Sequence, residues 1–146
     1  MPTIAEFEQT IDTRYEQLSQ LLDLTTQQES AIEQGHMNEL MRLLGVKQRL
    51  IELFVATSDQ FKREFDSFET QPTVSQAHRE RNQACNTMHQ ELLAREAKCQ
   101  ETLTTSRDEI GEQLMRGEGA RRAVAGYQQT STPRPQGGGL DLSSDG

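Results

Sequence analysis

Few side chains in this sequence are spaced for chemistry. Cys85 and His89 lie four residues apart, one turn if the segment is helical, and could seed a metal half-site. A closed zinc site needs about four ligands, and neither His36 nor His78 falls at a completing spacing. The pair reads instead as a buried thiol beside a rim histidine. Glu109 and Glu112 would form an acidic patch on a helix, but nothing marks them as an acid–base pair. Gly137-Gly138-Gly139 has neither the strand before it nor the helix after it that a phosphate loop requires. No constellation of converging groups emerges, so neither catalysis, nor a cofactor, nor a bound metal is expected.

The composition agrees. In 146 residues there are 23 acids and 15 bases, a net charge of −8, the wrong sign for a broad phosphate-binding surface. Hydrophobic residues make up 33%, aromatics 5%, and there is no Trp, which suits long amphipathic helices with narrow seams better than a large core. No stretch approaches the roughly 18–20 apolar residues of a membrane span. Met1 to Leu18 is acidic and periodic, unlike a signal peptide. On one helix, Cys85 and Cys99 would be about 21 Å apart, too far for a disulfide. They read as buried thiols in a reducing cytoplasm.

The elements follow from apolar spacing. Ile4, Ile11, Leu18 and Ile32 share a seven-residue repeat, with Phe7, Tyr15, Leu21 and Leu22 widening the seam. Thr3 and Glu6 suit a capping box, and Gly35 suits a helix end. The outer face of this acidic segment reads as solvated. A second seam runs through Leu40, Leu44, Ile51, Phe54, Phe61, Phe65 and Phe68, interrupted by Lys47 and Ser58. Gln71-Pro72 ends it. Ser75 reads as the N-cap of a third, longer helix with Ala84, Cys85, Met88, Leu92, Cys99, Leu103, Ile110 and Leu114 on its apolar side. Arg81, Arg95 and Ser106 occupy seam positions where an ideal coil has Leu or Ile.

The prediction is an all-α, antiparallel three-helix bundle or coiled coil, with helices over about 3–34, 37–69 and 75–118, in one domain over 1–127. Residues 128–146, rich in Pro, Gly, Ser and Thr, read as a disordered tail. By elimination, function lies in binding another protein. The third helix has two readings: it completes the bundle with mediocre packing, or its under-filled seam accepts a partner's amphipathic helix.

One stretch carries a family likeness. Ala31-Ile32, Gly35, Leu40, Leu43-Leu44, Lys47, Leu50-Ile51 and Leu53 occupy the places of "ALxxGDxxxL" followed by "LLxxKxxLLxxL". This resembles the FlgN family of flagellar export chaperones, with His36 in place of the usual Asp and Asn38 as a substitute cap. Arg81-Asn82 with Asn86 is a weaker likeness. The absence of Trp separates the chain from the related FliT type, and the Gly-Gly-Gly tail departs from the family pattern. The resemblance implies a cytoplasmic bacterial chaperone, without ATP or metal, that holds the C-terminal amphipathic helices of hook–filament junction proteins before secretion. It implies client contacts among Met88, Leu92, Cys99, Leu103, Ile110 and Leu114. It also implies docking on the export gate by Tyr127, with Arg121 and Arg122 as polar neighbours. A self-associating structural coiled coil, a homodimer without a client, is the alternative.

Overall fold

In a computed structural model the described residues are 1–122, with no side-chain description for Gln113 or for 116–122. They form three helices, α1 (Ile4–Gln34), α2 (Met37–Ser67) and α3 (Gln76–Arg122), and no strand. The fold class is the all-α three-helix bundle expected from the apolar periodicity. The tail, 128–146, lies outside the described residues. The described residues fall into two units, one over 1–95 and one from 96 onward.

In the first unit, local signals set the helix ends. Thr3 and Glu6 exchange side-chain and backbone hydrogen bonds in a capping box at the start of α1. Gly35 closes α1 at φ 70°, a left-handed conformation that glycine adopts without steric cost. The N-cap of α2 is His36, which makes no side-chain cap bond, and Asn38 lies inside the helix rather than capping it. Ser75 Oγ accepts the His78 N–H at 3.1 Å and so caps α3.

α1 and α2 are antiparallel, and polar pairs mark their register. Thr10 donates to Glu64 at 2.7 Å, Arg14 to Ser58 at 3.1 Å, Gln17 to Thr57 at 3.0 Å and Lys47 to Gln28 at 2.9 Å. Leu18, Leu21, Phe54, Cys85 and Leu92 form the core cluster, with Tyr15, Leu22, Leu50, Ile51 and Met88 packed against it. At one end Phe7 meets Phe61, Phe65 and Phe68, with ring centroids 5.1–6.3 Å apart.

Two seam interruptions prove structural. Lys47 is fully buried, its ammonium held by the Gln28 side-chain oxygen. Ser58 receives the Arg14 Nε–H, and the buried Arg14 guanidinium lies over the rings of Phe61 (4.9 Å) and Phe54 (5.4 Å). Burial lowers the Arg14 pKa from its ordinary value, opposed by Cys85 nearby.

A buried charge deprived of a partner is costly. Gln28→Ala removes the oxygen 2.9 Å from the Lys47 ammonium. It is expected to destabilise the chain by about 1–3 kcal/mol in urea unfolding. A loss of a few tenths would mean that this bond does not hold Lys47.

Candidate functional site

The third helix is the candidate. Its first part belongs to the first unit and runs parallel to α1. Six polar contacts between them keep a sequence offset of 66–69 residues. At the helix start, the Ser75 N–H donates to Glu8 at 2.8 Å. His78 sits between Ser75 Oγ (Nδ1, 2.7 Å) and the Asp12 carboxylate (Nε2, 3.2 Å). Arg81 pairs with Asp12 and lies over the Tyr15 ring.

Ser75, His78 and Asp12 are the residue types of a nucleophilic triad. Here, however, Ser75 Oγ is engaged as the acceptor of the His78 N–H, and Asp12 is shared with Arg81. The cluster fastens the start of α3 to α1. The sequence hinted at it only through Ser75 and His78 at cap spacing.

A second fastening lies four turns on. The Arg95 guanidinium grips Glu29 through two bonds, at 2.7 and 3.0 Å, and also donates to Thr26 at 2.8 Å and Glu91 at 3.1 Å. The two arginines that break the apolar seam of α3 are thus its ionic attachments to α1.

Cys85 is buried, and burial pushes its thiol above its ordinary pKa against the pull of Arg14 and Arg81. Burial, with Arg14, lowers the His89 pKa, and the ring packs edge-on to Phe54 at 5.5 Å. A protonated thiol and a neutral imidazole in core contacts make a poor metal half-site. Among the described residues no group of three or more His, Cys, Asp or Glu could hold a metal.

The six residues proposed for client contact do not share one environment. Leu92 is in the core cluster of the first unit and Met88 is packed against it. In the second unit Cys99 is buried, Leu103 is half-buried, and Ile110 and Leu114 are 57% and 59% exposed. Met115, which the seam did not single out, is 65% exposed. Leu103, Ile110 and Leu114 keep spacings of seven and four, so they share one helix face. Arg121 and Arg122 end α3, in the stretch whose side chains are not described. Tyr127 lies outside the described residues.

Fold and site define a three-helix bundle whose last helix displays large apolar side chains. No helix among the described residues is long and apolar enough to cross a membrane. Residues 1–126 match the family described as FlgN protein, and the chain belongs to the FlgN family. This is a family of flagellar export chaperones rather than of enzymes, which gives the chain a flagellar export chaperone role in general terms. No curated protein and no solved structure matches the chain.

The ionic fastening of α3 has a pH signature. Burial alone would raise the Asp12 pKa, but hydrogen bonds and charge from Arg81 and His78 outweigh it and hold the carboxyl below its ordinary value. The Arg95 hydrogen bonds lower the Glu29 carboxyl, against burial, with help from the Arg95 and Lys47 charges. A carboxyl lowered in the folded state adds stability above its unfolded value, about 4, and loses it as the pH falls through the folded value. Amide-exchange protection over 76–95 is expected to hold at pH 6 and to fall below about pH 4. Arg95→Gln should lower protection at neutral pH and flatten the acid limb. Unchanged protection in that variant would show that the Glu29 pair does not fasten α3.

Proposed function

We propose that this chain binds secreted hook–filament junction proteins in the cytoplasm and holds them for the flagellar type III export machinery. The observation carrying this reading is the exposure of Ile110, Leu114 and Met115 on a helix of a FlgN-family protein. Ile110 and Leu114, with Leu103 on the same face, suit the apolar stripe of an amphipathic helix presented by a client. Met115 adds an unbranched, adaptable side chain beside them. Of the six residues that the resemblance implies, Met88, Leu92 and Cys99 contribute as the packed part of α3, and Leu103, Ile110 and Leu114 take the client. Tyr127, with Arg121 and Arg122, serves docking on the export gate.

The client is a segment that would self-associate if left free, so the chaperone's work is to cover it. Covering an apolar helix face needs no bond-making and no nucleotide; apolar burial at about 25 cal/mol per Å² drives it.

Ile110→Asp with Leu114→Asp alters exposed positions and should leave helical content and the unfolding midpoint unchanged. Capture of hook–filament junction proteins from a flagellated bacterial lysate should fall at least about tenfold, since two apolar anchors are lost. Retained capture would remove this face from the client site. Tyr127→Ala should leave client capture intact and reduce secretion of the junction proteins; unchanged secretion would withdraw the gate assignment.

A further inference from the structure

Between Leu103 and Leu114 the apolar stripe of α3 carries one charge. The sole base of that stretch is Arg107, and its side chain is exposed. At about 100° per residue, Arg107 lies about 40° from Leu103, about 60° from Ile110 and about 20° from Leu114 around the helix axis. It therefore stands at the edge of the stripe, with Leu103 one turn before it and Ile110 one turn after. The acids of the segment lie elsewhere. Glu101, Asp108 and Glu112 are about 160–180° from Ile110, on the opposite face, and Glu109 is about 100° away, beyond the other edge. The negative charge of 96–115 is thus mostly behind the stripe, and the charge beside Ile110 and Leu114 is positive.

Other arginines of the chain find carboxylates. Arg42 pairs with Glu39 at 2.7 Å and Arg95 with Glu29 at 2.7 Å. Arg107 has no such neighbour in its own helix: the residues three and four positions away are Leu103, Thr104, Ile110 and Gly111. It has no ion-pair partner among the described residues. In water this costs little, because solvent takes the guanidinium bonds. A helix laid over the stripe changes that. It covers Leu103, Ile110 and Leu114 and strips water from the guanidinium beside them, and a dry, unpaired arginine opposes binding. A carboxylate on the incoming helix removes that penalty, because the planar guanidinium donates to both of its oxygens as a fork.

We propose that Arg107 is a specificity-determining residue of this face: it selects amphipathic helices that carry an Asp or Glu beside their apolar stripe. The assignment rests on the client reading above and adds to it a chemical requirement on the client. Overall and local charge act at different points. A client of net positive charge suits the acidic back of the segment at long range, and the same client turns a carboxylate toward Arg107 on contact.

The test uses the full chain and three synthetic amphipathic helices of about 20 residues. They share one leucine seam and one lysine-bearing outer face, and differ only in the residue at mid-length on both edges of the seam: Glu, Gln or Lys. Using both edges makes the result independent of the direction in which the helix lies. Fluorescence anisotropy is expected to rank Glu above Gln above Lys, with at least about tenfold between first and last and a smaller gap in added salt. Arg107→Met keeps an aliphatic stem and removes the charge, so the Glu and Gln peptides should then bind within about threefold of each other. Arg107→Glu should invert the order. Both variants alter an exposed position, and circular dichroism checks that helix content is kept. Equal binding of the three peptides, or binding of none, overturns the proposal. So does a preference for Glu that survives Arg107→Met. The client reading is tested apart. If the wild-type chain captures no hook–filament junction protein from a flagellated lysate, that reading fails while the peptide ranking still assigns Arg107. If capture is unaffected by Arg107→Glu, the assignment of Arg107 is withdrawn and the client reading stands.

Discussion

The register of α1 is the constraint on which the first unit depends. Apolar seams repeat every three, four or seven residues, so leucines alone would tolerate a slip of one heptad. Lys47 and Arg14 do not. A fully buried ammonium needs the oxygen of Gln28, and the Arg14 guanidinium needs Ser58 and the faces of Phe54 and Phe61. A slip would strand both charges away from water, at a cost well above what a few apolar contacts return. With α2 fixed, α1 presents Glu8, Asp12 and Glu29 in line, and α3 can take its constant offset of 66–69 residues. The bundle is apolar in its core and polar in its choice of alignment.

This division explains how a chain with 33% hydrophobic residues holds three helices together. The α1–α2 contact carries most of the large side chains, including the Phe7 cluster. Along 76–95, α3 adds Cys85, Met88 and Leu92 to the core and relies on Arg81, His78 and Arg95 for placement. Such pairs are partly exposed and individually weak. Their value lies in direction: a forked guanidinium on a carboxylate fixes azimuth and level together.

Much of this architecture was legible in the residues. The capping box at Thr3 and Glu6, the break at Gly35 and the three apolar seams are local patterns with local causes, and they gave the fold class. What stayed hidden was non-local. The acidic outer side of α1 read as solvated, yet three of its acids hold α3, and only the packed arrangement pairs them with Ser75, His78, Arg81 and Arg95. Lys47 read as an interruption because a lysine at a seam position is an anomaly until its acceptor is found. Within α3 the spacing could not separate Leu92, buried, from Ile110, exposed, since both sit on the same kind of stripe. Periodicity reports which face is apolar; it does not report what covers it.

Charge can supply what periodicity omits. Around Ile110 the sequence reads Arg107, Asp108, Glu109 and Glu112, and 96–115 as a whole has five acids against two bases. That net negative charge would oppose pairing of the segment with a copy of itself and would favour a client segment of net positive charge.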